Sequence, residues 1–208
     1  NDETCIDTAP NLINGHEYVD LGLPSGLKWA TCNVGASTPE EYGDYYAWGE
    51  VKTKNDYSEK TYAHCRKSSV LGSFLNGDYK YDFLGTDICT TEYDVANKKF
   101  GGTWRLPTKQ DFDELRDEKN CEWEWATRNE INGYEVKSKK NGNSIFLPAA
   151  GWYNDVSHKS LETYGFYWGS MPNKNETDSA YGLGFHKNGF SSYRYYRYYG
   201  FCIRPVCE

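Results

Sequence analysis

Apolar and polar positions along this chain alternate mostly in short blocks with a period of two, and a helical spacing is met only twice. Glu17-Tyr18-Val19-Asp20-Leu21 alternates, Gly22 to Gly26 supplies a turn, and Leu27-Lys28-Trp29-Ala30-Thr31 follows as a second strand, so the pair reads as a hairpin. Residues 38–49 read as loop, with Tyr42, Tyr45, Tyr46 and Trp48 as aromatic anchors, and residues 51–87 carry no clear period. A first helix is predicted over Glu92–Lys99: Thr91 precedes it, acids come first, lysines last, and Gly101 lies beyond. A second starts at the capping-box-like pair Thr108 and Asp111, carries Phe112 and Leu115 on one face and ends near Lys119. Trp123 and Trp125 alternate as on a strand. Tyr134-Glu135-Val136 then leads through Lys140-Asn141-Gly142-Asn143 into Ile145-Phe146-Leu147, and the Asn-Gly pair marks a hairpin. Beyond Pro148 the text is rich in Gly and aromatics to Ser170, then polar from Pro172 to Ser179. Two short helices among many short strands predict an α+β domain over residues 16–208, preceded by a polar linker or tail at 1–15.

The region from Tyr181 to Tyr199 departs from these patterns. Its middle is Tyr, Ser, Asn, Arg and Gly with almost no aliphatic residue, so it fits neither a core strand nor an amphipathic helix. Rigid amphipathic rings beside adaptable hydrogen-bonding groups are the mixture that antibody loops use. The candidate ligand-binding residues are Tyr181, Phe185, His186, Asn188, Ser191, Ser192, Tyr193, Arg194, Tyr195, Tyr196, Arg197 and Tyr198. Tyr196 and Tyr198 are read equally as packing residues. Phe201, Ile203 and Val206, set among other residues, read as a buried closing strand.

Composition sharpens this picture. Aromatic residues make up 17% against a hydrophobic total of 38%, and seven tryptophans are spread along the 208 residues, which favours one loop-rich fold pinned by aromatic anchors. No run is long and apolar enough to cross a bilayer, and no stretch reads as a signal peptide. The formal charge of -7 argues against general nucleic-acid binding. Between Ser179 and Cys207 there is no Asp or Glu, while Lys187, Arg194, Arg197 and Arg204 form an expected local basic face. The seven cysteines show no C-x-x-C spacing, so no zinc site is assigned. An exported protein with mostly buried thiols, and one bridge tying down the tail, is the expectation.

Several strings together, EYVDLGLPSGLKWATCNVGA, GGTWRLPT before a helix, NGYEVKSKKNGNSIFLPAAGW, GFYWGS and RYYGFCIRPV, resemble the Fibrobacter succinogenes major paralogous domain common in Bacteroidetes surface proteins. The resemblance spans about His16 to Val206. It implies the C-type-lectin-like fold shared by the formylglycine-generating enzyme and by the variable proteins of diversity-generating retroelements. In that plan the strand near Tyr18 pairs with the strand near Ile203, and the region before the closing strand is displayed, and diversified at adenines, in the retroelement relatives.

Catalytic chemistry finds little footing. Cys202 sits inside the presumed closing strand and Cys207 beside the terminus, where a redox pair like that of the formylglycine-generating enzyme is not expected. Met171-Pro172-Asn173 offers half of a calcium-lectin loop and no Trp-Asn-Asp follows, so no metal is assigned. The four histidines are isolated and G-x-S-x-G does not occur. Adjacent acids such as Glu40-Glu41 and Asp113-Glu114 read as solvated faces. The expectation is a non-enzymatic, cofactor-free domain at the cell surface, outside the cell or on a phage particle. A lipid anchor on an upstream segment is compatible with it. The partner is an external protein or glycan, with a carbohydrate-binding module as the alternative.

Overall fold

Residues 11–67, 79–191 and 194–208 are described by the computed structural model. In chain order they form β1 (Leu12–Ile13), β2 (His16–Asp20), β3 (Lys28–Ala30), β4 (Cys65–Lys67), β5 (Tyr79–Tyr81), α1 (Val95–Phe100), α2 (Lys109–Arg116), β6 (Cys121–Arg128), β7 (Ile131–Ser138) and β8 (Ser144–Pro148). Then come β9 (Trp152–Asn154), β10 (Ser157–Lys159), β11 (Tyr164–Pro172), β12 (Ser179–His186), β13 (Gly189–Phe190), β14 (Arg194–Tyr196) and β15 (Val206–Cys207).

Among the described residues 41% are strand and 8% helix, a nearly all-β content that corrects the expected α+β, C-type-lectin-like fold class. The helical signals were real but brief. α1 starts at Asp94, not Thr91, because the Asp94 carboxylate accepts from the N–H of Asn97 at 3.1 Å and also from Thr90 and Leu106. Burial raises the pKa of this carboxyl, and those N–H bonds pull it the other way. α2 begins in the expected Thr108–Asp111 capping box and buries Phe112 and Leu115, but stops at Arg116.

The expected pairing of the two end strands is also corrected. β3 lies between them, in the order β1-β2-β3-β15, with Tyr18 opposite Ala30 and Val206 opposite Trp29. Trp29 and Ala30 are fully buried, as a central strand requires, whereas β2 mixes half-buried and exposed residues, with Tyr18 and Val19 packed on the core. Only Val206–Cys207 joins this sheet as a strand, since Pro205 has no N–H to extend the ladder. Phe201 and Cys202 instead bridge to Tyr46 and Tyr167. Regular structure begins ahead of His16: β1 pairs with β2, and the Ile13 carbonyl accepts the Trp104 indole N–H at 2.9 Å.

The Asn-Gly hairpin stands where expected, as β7–β8 within the antiparallel sheet β6-β7-β8. The sheet that carries most of the residues singled out from sequence is built on β12, which pairs with β11 along its length, with β14 at its start and with β13 at its end.

Tryptophans fasten these parts together. Trp48 donates to the Gly169 carbonyl at 2.9 Å and Trp168 donates to the Tyr46 carbonyl at 2.8 Å, a reciprocal clasp between two distant segments. Trp168 also stacks on Phe201 at 4.2 Å. Arg204, expected on a basic face, is instead fully buried and donates to Asn33 Oδ1 at 2.8 Å and to the Thr31 carbonyl at 3.0 Å. Cys32, Cys65, Cys89, Cys121, Cys202 and Cys207 are free thiols, so no bridge ties down the tail among the described residues. Cys121, Cys202 and Cys207 are buried.

Candidate binding cleft

β14 is a three-residue edge strand held by β12, with Ser179 opposite Tyr196, Ala180 opposite Tyr195 and Tyr181 opposite Arg194. Its pleat sends alternate side chains to opposite faces. Tyr195 turns inward onto Phe166, Phe201 and Trp168, with ring centroids 5.3, 5.1 and 6.4 Å away. Its ring crosses β12 above Gly182 and Gly184. A Cβ on Gly184 would stand 2.0 Å from the Tyr195 hydroxyl and 2.1 Å from Ser191 Oγ, so glycine is what lets these two side chains meet. They share a hydrogen bond at 2.9 Å. Burial pushes the Tyr195 phenol up to about 12, with the Ser191 bond acting against it.

Arg194 and Tyr196 turn outward, and Tyr196 is 45% exposed. The Tyr196 ring stacks on Tyr198 at 5.4 Å and meets Tyr199 edge-on at 5.6 Å, a surface cluster of three phenols. Burial raises the Tyr198 and Tyr199 hydroxyl pKa values; the neighbouring phenols add to this at Tyr198, while at Tyr199 the Tyr196 ring adds to it and the bond to Tyr198 opposes it.

Opposite this cluster stands the loop before β12. Asn173, itself buried, donates from Nδ2 to Glu176 Oε2 at 2.8 Å, while Arg194 donates to Glu176 Oε1 at 3.2 Å. Asp178 Oδ1 accepts the Ser179 hydroxyl at 2.8 Å. Glu176, Asp178 and Ser179 on one side, and Arg194, Tyr195, Tyr196 and Tyr199 on the other, enclose an open cleft of about 450 Å³. That volume lies within the range of small-molecule sites. Two carboxylates, one guanidinium and phenol rings can hold a ligand that offers both hydrogen-bonding groups and an apolar face. Among the described residues no cluster of three His, Cys, Asp or Glu side chains could hold a metal ion.

The structure divides the twelve residues singled out from sequence. Arg194, Tyr195 and Tyr196 line the cleft, with Tyr198 stacked behind them and Ser191 bonded to Tyr195. Tyr181 is half-buried opposite Arg194. Phe185 is fully buried against Tyr134 and Tyr167, because its parity with Leu183 points it into the core, which corrects its place among the exposed binding residues. Arg197 is 3% exposed and does not line this cleft, so it is absent from the outward face expected of it. With Arg204 also buried, the expected basic face shrinks to Lys187 and Arg194, and Arg194 is paired with Glu176. His186 and Asn188 lie at the far end of β12, where the Asn188 N–H donates to His186 Nδ1 at 3.3 Å. There His186 lines a separate open cleft of about 450 Å³ with Trp125, Tyr164, Asn132 and Glu162. Ser192 and Tyr193 lie outside the described residues. Sequence reasoning missed Glu176 and Asp178, whose signal was two acids in the polar loop directly ahead of a strand.

A family model described as a domain of unknown function (DUF8237) matches residues 122–206, a span that includes β12, β14 and the whole cleft. No curated protein and no solved structure matches the chain.

Proposed function

We propose that this chain is a non-enzymatic ligand-binding display domain that engages an external ligand through the cleft between Glu176 and the tyrosines of residues 194–199. The observation that carries the reading is the split within β14: Tyr195 is tied into the core while Arg194 and Tyr196 are left to solvent. Side chains that a fold does not need, held rigidly on one that it does, are suited to binding. Such a site binds by desolvating a few central anchors, each worth about 1 to 3 kcal/mol. The mixture of tyrosine, arginine and serine, and the resemblance to variable proteins of diversity-generating retroelements, support a surface or phage-borne role and a protein ligand.

A peptide display library panned against the folded protein tests this. The selected binders are expected to lose at least about tenfold in affinity on Arg194→Ala with Tyr196→Ala, at unchanged fold. Binders indifferent to both substitutions would refute it. A second reading, glycan binding, is favoured by the other cleft, where the rings of Trp125, Tyr164 and His186 stand beside Asn132 and Glu162. A glycan array run with Trp125→Ala and Tyr196→Ala separates the two. For diversification, the decisive observation is a near-copy of the coding region, differing at adenines, beside a reverse transcriptase gene.

A further inference from the structure

A third cleft, of about 220 Å³, lies on the other side of the 172–177 loop, and its walls include Trp48, Tyr81, Phe83, Leu84 and Pro172. Arg197 and Lys174 are its cations. Arg197 is 3% exposed, and its guanidinium carbon lies 4.6 Å from the centre of the Trp48 ring. Nε donates to the Tyr62 hydroxyl at 2.9 Å, and Nη1 donates to the carbonyls of Asp82 and Thr177, each at 3.0 Å. All of these partners are neutral. Among the described residues no carboxylate pairs with Arg197, and its Nη2 has no hydrogen-bond partner. The nearby Asp82 carboxylate is engaged by Arg66 at 2.5 Å.

A charge taken out of water is ordinarily met by an opposite charge. Here it is met only by dipoles and ring faces, beside an apolar hollow whose rim carries Phe83 at 80% exposure. We propose that this cleft binds a small apolar carboxylate, with its ring or branched chain against Phe83, Leu84 and Pro172 and its carboxylate turned to the Arg197 guanidinium and Lys174. The volume falls below the roughly 300 to 1,000 Å³ of sites for drug-sized ligands, which limits the occupant to about one residue in size. One unfilled donor nitrogen and one ammonium match a single carboxylate. A phosphate dianion would find too few donors. The same chemistry is offered by a free acid and by the C-terminal residue of a peptide.

Titration calorimetry and ligand-observed NMR with phenylacetate, phenylacetamide, and a tripeptide ending in phenylalanine as its acid and its amide test the site. Phenylacetate is expected to saturate, and phenylacetamide to bind at least about tenfold more weakly, since a charge-assisted contact is lost. Tighter binding of the tripeptide acid than of phenylacetate assigns the peptide source, and the reverse assigns the free acid. Because Arg197 supports Tyr62 and the 172–177 loop, its replacement could unfold the protein, so the exposed variants Phe83→Ser and Lys174→Glu serve instead. Each is expected to weaken phenylacetate by about threefold or more, while Arg194→Ala leaves it unchanged. Equal binding of acid and amide, no saturation, indifference to both exposed variants, or loss on Arg194→Ala would each overturn the proposal.

Discussion

Replacing Tyr195 measures how the displayed face is joined to the body. The ring packs on Phe166, Trp168 and Phe201 and is half-buried, so Tyr195→Ala removes an aromatic side chain from the rim of the core. Truncation of a buried aromatic costs about 3 to 5 kcal/mol, and the partial exposure places this site near 3. Tyr195→Phe removes only the bond to Ser191, worth about 1 kcal/mol. In a domain of this size each kcal/mol lowers Tm by about 2 to 4 °C, so the alanine variant should fall by about 6 to 12 °C and the phenylalanine variant by about 2 to 4 °C. Arg194 is the contrast. Its side chain and that of Glu176 are 51% and 49% exposed, and an ion pair so placed contributes about 0 to 1 kcal/mol. Differential scanning calorimetry at one pH on the three variants and Tyr196→Ala resolves these values. The reasoning fails if Arg194→Ala or Tyr196→Ala destabilises as much as Tyr195→Ala, because the outward residues would then be part of the interior.

Alkaline pH should unfold the protein through its phenols. Burial raises Tyr42, Tyr57 and Tyr195 to about 12, above an unfolded value of about 10, so the neutral form is favoured in the fold. Their stabilisation is complete below pH 10 and is lost as pH rises from about 10 toward 12; chemical denaturation at steps across that window checks it, and a flat profile contradicts it. Burial also raises the thiols of Cys121 and Cys207 to about 11 and that of Cys202 further. At pH 8 a thiol reagent should therefore label these three only after denaturant is added, and fast native labelling of Cys202 would contradict its burial. Gly184→Ala should displace the Tyr195 hydroxyl and Ser191, lowering stability by about 1 to 3 kcal/mol in denaturant titrations, and an unchanged midpoint would mean that the two side chains yield freely.

What could be read from the sequence was what is local. The Thr108–Asp111 capping box and the hairpin around Asn141-Gly142 involve residues within a few positions of each other, and both stand as expected. The choice of β3 as the central partner was not legible, since alternation marks a strand without saying which neighbour it takes. Phe185 could have been assigned to the core from its shared parity with Leu183, but its aromatic and polar company obscured that. Arg197 gave no such sign: Tyr62, which accepts from its Nε, lies 135 residues away. A tyrosine- and arginine-rich segment carries one composition for side chains that end on opposite faces.

That opposition limits how freely this surface could be rewritten. Because Tyr195 and Arg197 face inward, each with long-range partners, while Arg194 and Tyr196 face out, new specificities can enter the strand only at every second position. An experimenter randomising residues 194–197 as a block should recover folded clones that vary at 194 and 196 and converge at 195 and 197, so the pleat itself acts as the filter on the repertoire.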